Sequence, residues 1–226
     1  MNEARLIGVL AVLAVLLTAT LFLFYANTDA YTAGQSISLH VAAASFPEQI
    51  EKIVAGGADV NSLDNENKVT ALLVATTLKN RESVSQLLSL GADPNVMMQN
   101  QDSPLTVVAS DGDAELFGML LDAGADVNGQ FMSRCPLHNA IIYGRNDIFE
   151  ALIEHPDVNI NQLEVGTGYT PLHLAVQHDR LEFVSRLLEL GANSEVEDDA
   201  GNTALELATH KSDSAIADQL RQIDTK

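Results

Sequence analysis

A motif that returns about every 33 residues constrains this chain more than any other feature of its sequence. A threonine-like slot recurs at steps of 33, 32, 35 and 33 residues, occupied in turn by Thr70, Ser103, Cys135, Thr170 and Thr203. A second signature closes each unit, reading GADVN at 57–61, GADPN at 91–95, GADVN at 124–128, HPDVN at 155–159 and GANSE at 191–195. Two motifs that stay in phase over five copies predict a stack of small structural repeats.

The copy from Thr170 to Asn193 indicates what each repeat forms. Thr170 is a helix-capping residue, and Pro171 fits the first helical turn, where its missing N–H is not needed. A break near His178 precedes a second apolar stripe at helical spacing, which Gly191 ends as a residue able to adopt positive φ. A helix–turn–helix unit of this size cannot bury its own apolar face, so it needs neighbours.

The period together with the opening Thr-Pro-Leu-His-x-Ala, complete at 170–175, resembles the ankyrin repeat family. The resemblance covers roughly residues 36 to 224. It implies an all-α repeat solenoid, an ankyrin stack of about six helix–turn–helix repeats with β-hairpin connections, whose outer two repeats serve as caps. We expect the repeats near 36–68, 69–101, 102–133, 134–168, 169–201 and 202–226.

Repeat four is the least regular inside the predicted stack. His155-Pro156 stands where the other copies have Gly-Ala, so its second helix must end differently. The segment from Asn159 to Tyr169 reads as two or three residues longer than its equivalents. We therefore expect an enlarged hairpin tip around Gly166 and Gly168, either as a functional feature or as a tolerated surface insertion.

An uncharged apolar segment, Leu6–Tyr25, precedes the repeats. Twenty residues in a helix span about 30 Å, the thickness of a bilayer's hydrocarbon core. We interpret it as a transmembrane anchor between a cytoplasmic tail (1–5) and a linker (26–35). A signal peptide cleaved after Ala30 is the alternative, although Thr28 and Ala30 make a weak cleavage pattern. A helix buried in the repeat domain is disfavoured because the segment has no polar face.

The distribution of basic residues sets the expected orientation. Arg5 precedes the segment, whereas no Lys or Arg follows it until Lys52. The positive-inside rule then places the repeats outside the cytoplasm, in a bacterial periplasm if the segment spans the inner membrane. The single cysteine, Cys135, lies far from the segment, which excludes a lipoprotein anchor and an internal disulfide.

The chain is strongly acidic, with a formal net charge of −19. Such a surface repels the phosphates of nucleic acids and anionic lipid head groups, so we expect neither as a ligand. It would favour encounter with a protein partner that is basic. The alternative is that the acidity only keeps an apolar stack soluble.

Residues that suggest chemistry fall in slots of the repeat motif. His40, His138 and His173 share the fourth slot, where the family resemblance implies hydrogen bonds within and between repeats. Cys135 near His138 has the residue types of a nucleophile pair. The repeat itself fixes their spacing, so the pair does not indicate catalysis. The segment 198–202 lacks the further ligands of a calcium loop. We expect no enzyme activity, no cofactor and no metal site.

With catalysis and metal binding set aside, we expect the chain to bind a protein. The family resemblance implies that such binding uses the hairpin tips and the exposed ends of first helices. Aromatic, Met and Arg side chains are enriched at interface hot spots, and repeats four and five carry them at these free positions. The predicted partner-binding residues are Phe131, Met132, Arg134, Ile142, Tyr143, Tyr169 and His178. Packing of Phe131 and Ile142 against neighbouring repeats is the alternative.

The sequence therefore predicts a non-enzymatic, membrane-anchored protein-interaction module with an extracytoplasmic protein partner. By resemblance to bacterial proteins of this layout, it could act as an immunity or inhibitor protein. An accessory factor that supports a periplasmic enzyme and an adaptor that faces the cytosol are alternatives, as is secretion if the N-terminal segment is cleaved. A hydrolase would need catalytic residues outside the motif slots, and we find none.

Overall fold

The computed structural model describes five stretches of the chain, residues 37–64, 68–96, 103–129, 134–211 and 214–221. Within them lie twelve helices in six consecutive pairs. Their bounds are α1 Leu39–Ser45, α2 Pro47–Ala55, α3 Ala71–Thr77, α4 Arg81–Ser89, α5 Pro104–Asp111, α6 Ala114–Asp122, α7 Pro136–Tyr143, α8 Asn146–Ile153, α9 Pro171–Gln177, α10 Leu181–Glu189, α11 Ala204–His210 and α12 Ser214–Arg221. The prediction of repeated helix pairs is thereby confirmed.

The predicted membrane segment, Leu6–Tyr25, lies outside the described residues. Among the helices that the structure describes, none is both long enough and apolar enough to cross a membrane. The anchor, the linker and the orientation stay predictions from the sequence.

The described residues divide into two compact units. One comprises the residues up to Val108 together with Glu115–Asp126. In it, α1 packs against α2 and α3, and α4 packs against both α2 and α3. A cluster of Val69, Leu73 and Val74 lies at the start of α3, with Leu78 packed against it. Burial of such aliphatic side chains supplies most of the stabilisation of a helix pair.

The other unit comprises Ala109–Ala114 and the residues from Val127 onward. Here α7 packs against α8 and α9, and α9 packs against α10 and α11. The rings of Phe149 on α8 and Phe183 on α10 stack with their centroids 4.2 Å apart. First helices are buried almost all round, as in α9 from Pro171 to Val176, whereas second helices bury one stripe.

The threonine slot caps first helices, as predicted. Thr70 Oγ1 accepts a hydrogen bond from Leu73 N–H at 3.1 Å, and Thr170 Oγ1 accepts one from His173 N–H at 3.3 Å. Each bond satisfies one of the amide donors that the first turn of a helix leaves without an intrahelical acceptor. The slot therefore serves the start of a helix and not a ligand.

The histidines of the fourth slot link successive repeats. His40 Nε2 lies 2.9 Å from Val69 O, and His173 Nε2 lies 3.1 Å from Asn202 O, in each case one repeat further along. In His173 the other ring nitrogen accepts from Thr170 N–H at 3.3 Å. The neutral Nε2–H tautomer satisfies both contacts, and burial lowers the pKa of His173. The predicted structural role is confirmed.

Asparagine side chains connect the loops that follow the second helices. Asn61 Nδ2 donates to Gly91 O at 3.4 Å, and Asn61 Oδ1 accepts from Asp93 N–H at 2.8 Å. Asn95 and Asn128 each make the same pair of hydrogen bonds with the loop one repeat on. One amide thus satisfies a backbone donor and a backbone acceptor of its neighbour.

This asparagine pattern corrects our alignment of repeat four. Asn128 bridges to Asp157 O and Asn159 N–H, so Asn159 takes the place that Asp93 and Asp126 hold. The motif there is 157–161, shifted two residues from HPDVN at 155–159. Measured from the corrected motif, 161–169 has nine residues, as many as 61–69. The tip thus exceeds 95–102 and 195–202 by one residue and 128–134 by two, which is less than we predicted, and His155-Pro156 lengthens the exit from α8.

The connections between helix pairs also differ from the predicted β-hairpins. Among the described residues there is no strand, although an isolated antiparallel bridge joins Leu63 and Thr70. The loops close through a few backbone hydrogen bonds, such as Glu164 N–H to Tyr169 O at 2.7 Å. These loops are too short for a ladder of paired residues, so turns hold them. We call 61–69, 161–169 and 195–202 the first, fourth and fifth tips.

Candidate protein-interaction site

Five of the seven predicted binding residues lie in the second unit, and two lie outside the described part of the chain. Phe131 and Met132 belong to the latter. Arg134, Ile142, Tyr143 and Tyr169 are each half-buried, and His178 is exposed. The described members come from the start and end of α7, the fourth tip and the end of α9.

Arg134 forms an ion pair with Glu164 of the fourth tip. Glu164 is only 4% exposed, and its other carboxylate oxygen accepts a hydrogen bond from Thr167 Oγ1 at 2.6 Å. A buried carboxylate requires such partners, because an uncompensated charge in a low-dielectric site is costly. Arg134 thus holds the fourth tip in place and is only about one-third exposed.

Tyr169 ends the fourth tip directly before the capping slot of α9. Its ring stacks on the His173 ring with centroids 5.6 Å apart and an interplanar angle of 11°. Its N–H donates to Thr167 Oγ1 at 3.2 Å. Partial burial, with the nearby carboxylates of Asp198 and Glu164, raises the pKa of the Tyr169 phenol. The phenol therefore stays protonated and available as a hydrogen-bond donor at neutral pH.

Ile142 and Tyr143 form the last turn of α7. Gly144 follows in the left-handed region at φ 63°, which reverses the chain and ends the helix. A Cβ atom on Gly144 would lie 2.8 Å from the Arg180 guanidinium carbon, so no larger residue fits there without movement. Arg180 Nη2 donates to Ile142 O at 3.4 Å and fixes the end of the helix from the next repeat.

His178 caps the C-terminal end of α9 and is exposed. Partial desolvation, followed by the charges of Arg180, Lys211 and Arg134, lowers its pKa. At neutral pH it therefore presents a neutral imidazole. His178 lies at the opposite end of α9 from Tyr169, and a neutral exposed ring there is suited to a hydrogen-bonding contact with a protein surface.

Sequence reasoning missed a row of side chains that reach back to the ends of first helices. Asn80 donates to Ala43 O at 3.4 Å, Arg145 Nε donates to Ser110 O at 2.8 Å, and Lys211 Nζ donates to Gln177 O at 2.6 Å. Arg180 does the same to Ile142 O. Each cation or amide satisfies a terminal carbonyl and complements the negative end of the helix dipole.

A signal for this row was present in the sequence. Asn80, Arg145 and Arg180 each stand ten residues after a capping slot. Three of these four side chains are basic, in a chain with only 12 Lys and Arg against 31 Asp and Glu. Much of the limited positive charge of the second unit therefore serves its own helix ends.

The geometry gives Cys135 and His138 a structural role. Cys135 is 1% exposed, and its N–H donates to His138 Nδ1 at 3.2 Å. His138 Nε2 lies 2.8 Å from Gln162 O, so both ring nitrogens are engaged. Burial lowers the pKa of His138 below its ordinary value. An imidazole whose two nitrogens are both engaged cannot act as a general base toward the Cys135 thiol. No cluster of metal-binding side chains occurs among the described residues.

Sequence reasoning also missed two exposed aliphatic side chains in the fourth tip. Leu163 is 49% exposed and Val165 is 61% exposed, and they flank the buried Glu164. The alternation of apolar, charged and apolar residues at 163–165 was the available signal. The prediction for this tip rested on Gly166 and Gly168 instead.

Comparisons with known proteins agree with the helix pairs and their links. The family model for ankyrin repeats, built on three copies, matches residues 39–130, 72–163 and 137–225. The ankyrin repeat protein YahD of Escherichia coli (strain K12) is 29% identical over 179 residues, which cover 76% of this chain and 88% of YahD. Human neurogenic locus notch homolog protein 2 is 29% identical over 163 residues, 72% of this chain but 6% of its own length.

A solved structure supports the same assignment. The crystal structure of the human ASB11 ankyrin repeat domain matches with a TM-score of 0.66 and 27% sequence identity. The match covers 83% of this chain and 84% of that one. The capping slots, the bridging histidines and asparagines, and the family match over nearly all described residues lead to one conclusion: this chain belongs to the ankyrin repeat family.

Proposed function

We propose that the chain is a non-enzymatic module that binds one protein partner through Arg134, Ile142, Tyr143, Tyr169 and His178. Ankyrin repeats indicate a protein–protein interaction module, and this family is generally a non-enzymatic scaffold. Phe131 and Met132, which adjoin this set in the sequence, are included in the proposal.

The observation that carries the proposal is the fixed geometry of partly exposed aromatic groups. Tyr169 stacks on His173, whose two ring nitrogens are both engaged, so the tyrosine ring is supported from beneath. Tyrosine offers a large rigid contact area and a hydroxyl at low cost in conformational entropy. A ring that is already fixed before binding loses little further entropy in a complex.

The cellular setting of the proposal comes from the sequence. Leu6–Tyr25 would anchor the chain in a bacterial inner membrane, with the repeats in the periplasm. There the module would act as an immunity or inhibitor protein for a basic partner, since the chain's net charge of −19 favours such an encounter. Support of a periplasmic enzyme is the second candidate, and an adaptor facing the cytosol is the third.

The binding surface is tested with a tagged full-length chain. Purification in detergent after cross-linking identifies the partner, and titration of the purified partner then gives its affinity. We expect Tyr143→Ala with Tyr169→Ala to raise Kd by at least about 30-fold, since each hot-spot residue contributes roughly 1–2 kcal/mol. Leu181→Ala, an exposed residue on the second helix α10, is the control and should leave Kd unchanged.

Two results would reject this surface. One is an unchanged Kd in the double variant. The other is a large loss of thermal stability in the double variant, which would show that the tyrosines are core residues. Binding should also weaken between roughly 0.05 and 0.5 M salt if acidity steers the partner, and salt-independent binding would remove that part of the proposal.

Topology and role are tested separately. Protease treatment of intact spheroplasts should degrade the repeats if they face the periplasm, whereas intact repeats would contradict the orientation. Deletion of the chain should cause toxicity that depends on the partner if the chain is an inhibitor. Loss of a periplasmic enzyme activity without toxicity would instead favour the accessory role.

A further inference from the structure

The fourth tip presents two exposed aliphatic side chains. Five large hydrophobic residues are markedly exposed in the described part of the chain, and only Leu163 and Val165 share one loop. Exposed apolar surface contributes nothing to folding, and an isolated exposed residue needs no explanation. A pair on one projecting loop, at 49% and 61% exposure, marks a candidate contact surface.

The backbone beneath this pair is firmly held. Glu164 lies between the two side chains, points inward and pairs with Arg134. Its N–H donates to Tyr169 O at 2.7 Å, and its carbonyl accepts from Gly168 N–H at 3.1 Å. With Glu164 buried and held between them, Leu163 and Val165 are both exposed to solvent.

The next tip buttresses the fourth from its far side. Asp199 N–H donates to Thr167 O at 2.9 Å. A Cβ atom on Gly168 would lie 2.8 Å from Asp199 N, so the two tips are in close contact there. The exposed pair is therefore preorganised and would lose little conformational entropy when covered.

The tip that contacts the fourth through Asp199 is acidic. The fifth tip carries Glu195, Glu197 and Asp199, all exposed. The one nearby cation identified by contact, Arg134, is already paired with Glu164. This edge of the molecule is therefore apolar at its centre and negative at its side.

We propose that Leu163 and Val165 form an apolar knob that inserts into an apolar pocket bordered by lysine or arginine side chains on the protein partner. The inference deepens the proposed function and rests on it. Charge complementarity selects the occupant, because basic side chains would face the exposed Asp199, which contacts the fourth tip. A second copy of this chain would bring a like charge of −19, and an anionic lipid surface would be repelled.

The experiment uses the full chain with p-benzoylphenylalanine in place of Val165, irradiated in the cells that produce it. A matched chain carries the photoreactive residue at Leu181, which is 44% exposed on α10. The protein cross-linked from position 165 is then purified and titrated against four chains. They are the wild type, the control Leu181→Ser, the knob variant (Leu163→Ser together with Val165→Ser) and the tyrosine variant (Tyr143→Ala together with Tyr169→Ala).

The knob variant should raise Kd for that protein at least about 10-fold, the loss expected when two anchoring aliphatic contacts are removed. Leu181→Ser should leave Kd within twofold, and all chains should keep the same thermal midpoint within a few degrees. Affinity of the wild type should also fall as salt rises, as basic groups at the pocket rim require.

Several results would overturn the knob. They are equal cross-linking from positions 165 and 181, capture of a second copy of this chain, capture of lipid, and an unchanged Kd in the knob variant. Loss of binding in the tyrosine variant with normal binding in the knob variant would reject the knob and keep the proposed function. Normal binding in both variants would reject both.

Discussion

The first and fourth tips share a backbone plan and differ in what their acidic residue does. Both have nine residues, and in both an acidic residue donates its N–H to the carbonyl five residues on, at 2.9 Å in Asp64 to Val69 and 2.7 Å in Glu164 to Tyr169. The Asp64 carboxylate accepts from Val69 N–H at 3.1 Å within its own tip. The Glu164 carboxylate reaches Arg134 at the start of the preceding helix pair.

Glu164 therefore bonds both within its own tip, to Thr167, and across to Arg134. The last residue of the tip differs as well. Val69 is 1% exposed in the core, whereas Tyr169 is half-buried at the surface. The comparison teaches that the repeat motif fixes the backbone, while residues outside the motif decide whether a tip is only structural or also offers a contact surface. The predictions below test that distinction.

The largest effect should follow loss of the cation that pairs with Glu164. Arg134→Ala leaves the Glu164 carboxylate, which is 4% exposed, without its ion partner. We expect the free energy of unfolding to fall by about 3 kcal/mol. The loss stays below the upper range for buried pairs because Arg134 itself is partly exposed. Asp64→Asn is the matched change in the first tip and should cost less than about 1 kcal/mol. Chemical denaturation measures both, and equal losses would remove the distinction between the tips.

A companion variant separates charge from packing. Arg134→Met with Glu164→Leu replaces the ion pair by apolar groups, and most of the stability lost in Arg134→Ala should return. A double variant as unstable as the single one would show that the pair's packing, and not its charge, holds the tip.

The next effect concerns the contact of the fourth tip with the fifth. Gly168 has φ 67°, and a Cβ atom there would lie 2.7 Å from Asp199 Oδ1 and 2.8 Å from Asp199 N, so Gly168→Ala should cost about 2 kcal/mol. Gly166 has φ 94° but has no atom within 4 Å of a built Cβ, so Gly166→Ala should cost about 1 kcal/mol. Thermal melts of the two variants measure the difference, and the reverse order would contradict the contact.

A smaller effect should appear in the pH dependence of stability. Burial lowers the pKa of His138 and of His173 in the folded chain, so between the folded value and the ordinary 6.5 the unfolded chain binds more protons. Stability contributed by these groups is present above about pH 6.5 and is lost as pH falls, by at most about 1.4 kcal/mol per pH unit for each histidine.

The measurement compares denaturation of the wild type and His173→Gln at pH 7.5 and pH 5.5. The wild type should lose more stability over this interval than the variant does, because the variant has no proton to bind at that position. The comparison cancels the change in carboxylate repulsion, which is common to both chains. An equal loss would show that His173 is not held in its neutral form.

The smallest effect should come from strengthening the cap of the one first helix that begins with a cysteine. Cys135 occupies the slot in which Thr70 and Thr170 accept from their third helical N–H. Cys135→Thr should stabilise the chain by roughly 0.5–1 kcal/mol, since a hydroxyl is a stronger acceptor than a thiol. Urea denaturation measures the gain, and destabilisation would show that the buried site has no room for the threonine methyl group.

Sequence reasoning could predict the features that recur and missed those that do not. The helix pairs, the capping slots and the bridging role of His40, His138 and His173 all follow from a motif with fixed spacing, because each repeat must satisfy the same backbone groups. The single turn that shifts the motif of repeat four to 157–161 was invisible, because HPDVN imitates the consensus two residues early. Hydrogen bonds, and not residue identity, define its register.

The same reasoning explains the outcome for the candidate site. Composition and slot position singled out Tyr143 and Tyr169, which the structure places half-buried in one unit. Nothing in the sequence identified Arg134 as the partner of Glu164, 30 residues away, since that contact depends on how the tips are arranged in space. The exposed pair at Leu163 and Val165 was missed for a related reason, since their exposure depends on how the fourth tip folds around the buried Glu164.

Hydrogen–deuterium exchange of the full chain, with and without its purified partner, tests most directly that the second unit carries the binding surface. Partner binding should slow amide exchange in 134–145 and 161–178, the segments that contain the described candidate residues, and leave 37–64 unchanged. Slowed exchange confined to 37–96, with 134–178 unaffected by a saturating partner, would contradict it.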